Sequence, residues 1–490
     1  MASMILLIVV AERAPNARSA LYLGWVFGFG HFVIGLYWVA QAFHYQSSLP
    51  VWAGWLAVPL LAAYLAIFPA LALMLGKKLA PDRTGFRLLI LPASWILSEW
   101  TRGWLFTGFA WNPLGVIWID VPIIAQLAQA FGAIGLSGLT ILLAGLLLET
   151  AAKHRLAFVA IATVTIGAAS SPWRPVQSAT RPGPITVRIV QPNIAQDKKW
   201  RTELSLLHRR QHIALSGSPR RDGGTRWIFW PEAAIGEELQ HEPQIRKQLA
   251  ETLGPRDLLF TGGIAMVRSH QGAPLNATNS VFVVNSEGQI VGRYDKSHLV
   301  PFGEYVPSVA KWLGLSRFAS GAVEFTAGPG ARSLNLPGFP KVGVDICYEM
   351  TFPGQVVDRA QRPAFIFNPS NDAWFGTRGP PQHLAQARMR AIEEGLPVIR
   401  STSTGISAVI RKDGSVAASL PLGTAGFIDT PLPPAGAPTL FSQWGHDLSL
   451  ALAGLFVFIS LCRDVGKRRY RDHRSTFKSE PPVVPIGLPD

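Results

Sequence analysis

Long apolar segments constrain this chain more than any other feature. Five crowd the first third, at residues 20–43, 51–75, 88–105, 121–148 and 156–171, and a sixth stands alone at 444–462. Most approach the ~20 residues a helix needs to cross a bilayer. Any one run could be a buried core helix, but six together are hard to bury in a soluble fold. Trp25, Tyr37, Trp38, Trp52, Trp55, Trp104, Trp111 and Trp118 stand near segment edges, as an interfacial aromatic belt requires. Composition agrees: 48% of residues are apolar and only 16% charged, which suits a membrane protein better than a soluble enzyme.

Sidedness is read from the loops. Lys and Arg collect at Arg13 and Arg18, at Lys77, Lys78, Arg83 and Arg87, at Lys153 and Arg155, and in the tail RDVGKRRYRDHRSTFK. The intervening HYQSSLP has none, and residues 100–120 hold only Arg102. Alternate loops are basic and are expected in the cytoplasm, which puts the long segment from about 172 to 443 on the far side. The net charge of +14 is scattered over loops and tail without an aromatic-interleaved basic face, so a membrane surface is the expected partner and nucleic acid is not. The opening MASMILLIVV is too short for a crossing and has no basic residue ahead of it, so it reads as the stub of a truncated helix rather than a signal peptide.

Between 183 and 430 the pattern changes to short β-type runs: ITVRIVQPN, RWIFWPEAA, LLFTGGIAM, SVFVVN, KVGVDICYE, AFIFNPS, PVIRST and GISAVIRKDG, with NSEG and RKDG as hairpin turns. HLAQARMRAIEEG has helical spacing and stops at Gly395. Strands mixed with helices predict an α/β layered domain. The expected organisation is a transmembrane helical bundle over 1–172, a catalytic domain over 183–432, a last transmembrane helix at 440–462 and a basic cytoplasmic tail at 463–490. Small residues at helical spacing in GAIGLSG, 132–138, predict a close helix contact.

Four polar residues stand at strand ends or in the loops that follow: Glu232, Lys296, Glu304 and Cys347. A carboxylate, an ammonium and a thiol can serve as base, oxyanion stabiliser and nucleophile of acyl transfer through a covalent intermediate. The bland alternative is surface Glu and Lys with an inert buried Cys. The two cysteines, Cys347 and Cys462, lie in different contexts and no structural disulfide is expected. No His/Cys cluster has metal spacing, and no phosphate loop implies a cofactor.

WPEAA, YDKSHLVPFGEYVP and CYE, in that order, resemble the Glu–Lys–Cys signature of the nitrilase superfamily. With helices on both sides, and with QPNIAQDKKW, SNDAWFG, GPPQHLAQARMRAIEEGLPVIRSTSTGISAVI and LFTGFAWNPLG, the chain resembles its membrane-bound branch, the bacterial apolipoprotein N-acyltransferases. The resemblance implies a nitrilase-like αββα sandwich inserted before the last transmembrane helix of a multi-pass protein of the bacterial inner membrane, with the domain on the periplasmic side. It also implies helices ahead of the stub at 4–10, so the chain is expected to lack the first helix and most of the second. The implied reaction moves an acyl chain from a phospholipid, usually phosphatidylethanolamine, to a cysteine thioester and then to the α-amino group of a diacylglyceryl-modified apolipoprotein. The rival is a membrane-tethered amidase or nitrilase-type carbon–nitrogen hydrolase that uses water as acceptor.

On this reading Cys347 is the nucleophile, Glu232 the base, Lys296 the oxyanion holder and Glu304 the group that orients Lys296. Tyr348 and Glu349 match positions that shape the site, or are a packed Tyr and a solvated Glu. Trp200 matches a residue over the pocket, or simply packs. Asn371, Asp372 and Trp374 border the cavity or are turn residues. Glu99 and Arg102, charges near a membrane boundary, contact a phosphate head group or only each other.

Overall fold

The computed structural model describes residues 1–45, 49–80, 82–153, 185–268, 274–307, 311–312 and 324–478. Among them four helical stretches are long and apolar enough to cross a bilayer: Ala17–His44, Ala53–Leu79, Ala128–Ala151 and Asp447–Gly466. The expected segment at 156–171 lies outside the described residues.

Helix α1 (Ala2–Arg13) has only 12 residues but is built into the bundle, burying Met4, Leu7, Ile8 and Ala11 with Ala72, Leu73, Trp95 and Ile141. Helix α2 (Ala17–Leu36), started by the Asn16 side chain accepting from Ser19 N, runs on as a 3₁₀ turn over Tyr37–His44. The next apolar segment folds as α3 (Ala53–Leu65) and α4 (Ile67–Leu79). Gly24 and Gly28 let α2 lie against α4: a Cβ would come within 2.7 Å of Ala70 and 2.4 Å of Pro69. The segment expected at 88–105 is helical, as a π turn at Phe86–Ile90 followed by α5 (Leu91–Arg102), and it is not one of the four long apolar stretches. Its last turns carry buried Glu99 and Arg102, and two charges so placed lower its hydropathy. Helix α6 (Ala128–Lys153) is broken at Gly132, where φ is 61°.

The α/β domain follows as two six-stranded sheets. In chain order the strands are β1 (Ile185–Gln191), β2 (Thr225–Phe229), β3 (Leu258–Arg268), β4 (Pro274–Asn285), β5 (Ile290–Asp295), β6 (Ser333–Leu334), β7 (Val342–Val344), β8 (Phe365–Ser370), β9 (Val398–Thr402), β10 (Ser407–Ile410), β11 (Val416–Leu420) and β12 (Gly426–Pro431). They pair as β12-β1-β2-β3-β4-β5 and β11-β10-β9-β8-β7-β6. In each sheet parallel strands (β1, β2, β3 and β7, β8, β9) are flanked by antiparallel partners. Alternate residues of the two inner faces, among them Val187, Trp227, Phe229, Phe260, Val344, Phe367 and Ile399, form one core. Helices α7 (Ser205–Ser216) and α8 (Pro243–Ala250) cover one outer face, and α9 (Gly379–Glu394) covers the other. The αββα sandwich expected from the sequence is therefore present, and it is placed between α6 and the last helix.

That helix, α10 (Asp447–Lys478), continues well past 462, so the first part of the expected tail is helical. Tyr348 and Phe352, which follow the candidate nucleophile, pack into an apolar cluster with Phe32, Trp38, Phe68 and Trp111 of the bundle.

Candidate active site

Three strand ends build the site. Beyond β2, Trp230 and Pro231 lead to Glu232, whose loop lies directly on β3. A Cβ at Gly262 would come within 2.4 Å of Ala233 N and 2.8 Å of Glu232 Cα, so only glycine lets the two backbones meet. Lys296 follows β5, its N–H donating to Asn279 O at 2.8 Å. Cys347 begins a 3₁₀ turn, Cys347–Thr351, three residues after the end of β7 at Val344. Its φ is +53°, a left-handed conformation costly for a residue with a side chain.

These side chains converge. Lys296 Nζ lies 2.9 Å from Glu304 Oε1 and 3.3 Å from Glu232 Oε1. Asn279 Nδ2 donates to the same two oxygens, at 2.7 Å to Glu232 and 2.9 Å to Glu304. Glu304 Oε2 accepts from Val300 N, which folds the loop back on Lys296. The Glu232 charge acts on the Cys347 thiol, and Lys296 acts on both. Lys199 adds a second ammonium, donating to Glu232 O at 2.8 Å.

Charge states follow from burial and neighbours. Burial works against the Glu232 carboxylate, but Lys296, Lys199 and the bond from Asn279 outweigh it and hold the acid below its ordinary range. Burial and then the Glu232 charge push the Cys347 thiol well up, against Lys296. Lys296 is held protonated because Glu304 and Glu232 more than offset its burial. Burial brings the Lys199 ammonium down to about 8. The resting site is thus a thiol beside a carboxylate, with a permanent cation between two acids.

Of the supporting residues, Glu349 is buried rather than solvated. Its Oε1 accepts from Ser297 N and Oγ, Tyr294 OH and His298 N at 2.6–3.1 Å, and its Oε2 from Ile346 N at 2.7 Å. It ties the Lys296 loop to the Cys347 turn. Tyr348 is buried against Phe352 and His298. Trp200 is half-exposed, with Lys199 Nζ 5.7 Å from its ring, beside a small surface pocket lined also by His208, His212 and Ala233.

Asp372 is fully buried on Arg400 and His383. Asn371 bonds Gln196, and Trp374 stands edge-on to Tyr45. Glu99 and Arg102 line one pocket of the bundle, and each also holds backbone of the loop after α5. Glu99 Oε1 accepts from Trp95 Nε1 and Leu114 N, and Arg102 Nη1 donates to Trp111 O at 2.7 Å, so both shape the loop after α5. Asn279, Lys199 and His383 were not singled out in the sequence. A polar run, ATNS, in the middle of apolar β4 is the one signal that marks Asn279. Among the described residues no group of His, Cys, Asp and Glu has metal-binding geometry.

The sandwich and the thiol, amine and carboxylates at its strand ends define a carbon–nitrogen hydrolase-type domain carried by a membrane helical bundle. Residues 186–437 match the family described as Carbon-nitrogen hydrolase, and residues 1–146 the Apolipoprotein N-acyltransferase N-terminal domain. The chain is 35% identical over 477 residues to the apolipoprotein N-acyltransferase of Rhodopseudomonas palustris, covering 92% of this chain and 88% of that one. It is 37% identical to that of Bradyrhizobium diazoefficiens (94% and 88% covered) and 35% identical to that of Brucella suis (94% and 88%). The chain belongs to the apolipoprotein N-acyltransferase family, membrane-bound acyltransferases with the nitrilase fold.

Proposed function

We propose that this chain transfers a fatty acyl group from a phospholipid, with phosphatidylethanolamine as the usual donor, to the α-amino group of the diacylglyceryl-cysteine at the N-terminus of a lipoprotein. The domain then faces the periplasm from the bacterial inner membrane, as the alternation of basic loops supports. The observation that carries this reading is the buried Cys347 at a strained strand end, within the field of an ionised Glu232 that is paired with Lys296, while the next residue, Tyr348, packs onto the bundle helices. A hydrolase domain acting on lipid-anchored substrates gains from such tethering, because each CH₂ drawn from the bilayer costs about 0.8 kcal/mol.

In the first half-reaction Glu232 takes the thiol proton as sulfur bonds to the ester carbonyl carbon, and Lys296 holds the oxygen that becomes negative. Collapse breaks the C–O bond to glycerol, Glu232 returns the proton to that oxygen, and a lysophospholipid leaves. In the second, the amine attacks the thioester, Glu232 takes a proton from nitrogen, and the C–S bond breaks. The proton passes to sulfur and restores the thiol.

Mass spectrometry after incubation with phospholipid should show Cys347 heavier by one fatty acyl group, and Cys347→Ala should show no adduct. A normal thioester in Cys347→Ala would overturn the assignment. With labelled phospholipid and a lipopeptide acceptor, the label should reach the peptide amine. Release of free fatty acid with the acceptor unlabelled would favour a hydrolase.

A further inference from the structure

His383, Asp372 and Arg400 form a buried polar group behind the nucleophile, and none of them reaches the reacting atoms. Their relative exposures are 0%, 1% and 0%. His383, in the first turns of α9, sets Nε2 3.0 Å from Cys347 O and Nδ1 3.0 Å from Asp372 Oδ1 and 3.1 Å from Arg400 Nη2. Arg400 Nη2 donates to both Asp372 oxygens, at 2.7 and 2.9 Å. Its Nη1 bonds Ser370 Oγ at 3.0 Å and Asn368 Oδ1, and Asn368 Nδ2 in turn donates to Asp345 O at 2.7 Å. The group therefore grips the carbonyls of Asp345 and Cys347, one on each side of the turn into the nucleophile.

The tautomer follows from the partners. A carbonyl only accepts, so Nε2 carries a hydrogen. Burial and the Arg400 charge lower the imidazole against the pull of Asp372, while Nδ1 is fixed between Asp372 Oδ1 and Arg400 Nη2. His383 is thus a directional donor aimed at the Cys347 carbonyl. The Cys347–Tyr348 peptide is trans, so fixing its C=O fixes its N–H in the opposite direction. Tyr348 is the second residue of a 3₁₀ turn, where the N–H has no acceptor within the turn.

We propose that His383, held by Asp372 and Arg400, is a positioning residue for the nucleophile: its bond to Cys347 O keeps the left-handed turn and so presents Tyr348 N–H, with Lys296, to the oxygen of the tetrahedral intermediate. This rests on the reading of Cys347 as the acyl carrier.

Two reactions of the same sulfur separate this role from general support of the fold. Acylation by phospholipid passes through an oxyanion, whereas alkylation by iodoacetamide is a direct displacement and does not. In the full-length membrane protein, His383→Leu and His383→Asn, whose amide stops short of Nε2, should slow acylation by about 10²-fold, the effect of losing one oxyanion donor. Alkylation and the phospholipid KM should stay near wild type. His383→Gln, whose amide nitrogen reaches the Nε2 position, should restore most of the acylation rate. If Leu prevents folding, the Gln and Asn pair gives the same comparison. Acylation at the wild-type rate in Asn, equal slowing of acylation and alkylation in protein of unchanged Tm, or a Gln variant as slow as Asn would each overturn the proposal. Cys347→Ala is the control: an acyl adduct surviving there would sink the nucleophile assignment and not the positioning argument.

Discussion

Glu232 enters the proposed reaction already ionised, which sets its pH dependence. Burial alone would raise this acid, but Lys296, Lys199 and the hydrogen bond from Asn279 keep it below the ordinary 4.5. A step that needs the Glu232 carboxylate is then complete at neutral pH and fails only as pH falls through that lowered value. Alkylation of Cys347 followed against pH should show its acid limb below 4.5. In Lys296→Met the largest attractive charge is gone while burial remains, so the limb should move upward. An unmoved limb would show that Glu232 is not the base for this sulfur. Residues of this kind were legible because Glu232, Lys296 and Cys347 each close an apolar strand. Asn279 and Lys199 were not, since their partners come from other strands and loops. The role of Glu349 was equally hidden: it accepts from Ser297 N, 52 residues earlier in the chain, and no local pattern records that.

At the scale of elements, α6 depends on a side chain from the other domain. The helix breaks at Gly132, and the freed N–H of Ala133 donates to Glu393 Oε1 of α9 at 2.6 Å. Glu393 also pairs with Arg390 at 2.6 Å, both fully buried. It acts as a cap for the restarted membrane helix. Glu393→Ala leaves a buried guanidinium unpaired, which costs about 3–5 kcal/mol. Its thermal unfolding in detergent should fall accordingly, with Glu393→Gln falling less because its amide oxygen still accepts from Ala133. Equal midpoints for Ala and wild type would remove the cap from the account. The small residues of GAIGLSG did foretell a close contact here: a Cβ at Gly132 would come within 2.3 Å of Phe441, and one at Gly138 within 2.4 Å of Ile96. The eight expected β runs are strands, and α9 ends at Gly395 in a left-handed cap.

For the whole molecule, the order of bundle, sandwich and last helix was readable from apolar length and strand period, but the junction between them was not. Its polar centre is Gln382 Oε1, which accepts from Trp38 Nε1, Trp111 Nε1 and Asn112 Nδ2 at 3.2, 2.9 and 3.1 Å, while Gln382 Nε2 donates to Gly35 O. These partners lie 271 and 347 residues apart in the chain, for Trp111 and Gly35 respectively, beyond any pattern a local reading can use. The Trp111 ring also lies 5.2 Å from that of His383, the next residue to Gln382 and the one that holds Cys347 O. A disturbance of the membrane loops therefore has a short physical route to the nucleophile. Gln382→Leu strands Trp111 Nε1, whereas Trp38 Nε1 and Asn112 Nδ2 keep Gly35 O as an acceptor, and one buried donor without a partner costs about 1–3 kcal/mol. The substitution should lower the unfolding midpoint and speed amide exchange in two segments at once, 108–112 in the bundle and 347–352 in the domain. Faster exchange in 108–112 alone would mean that the bundle and the catalytic turn are mechanically independent, leaving the helices as an anchor only.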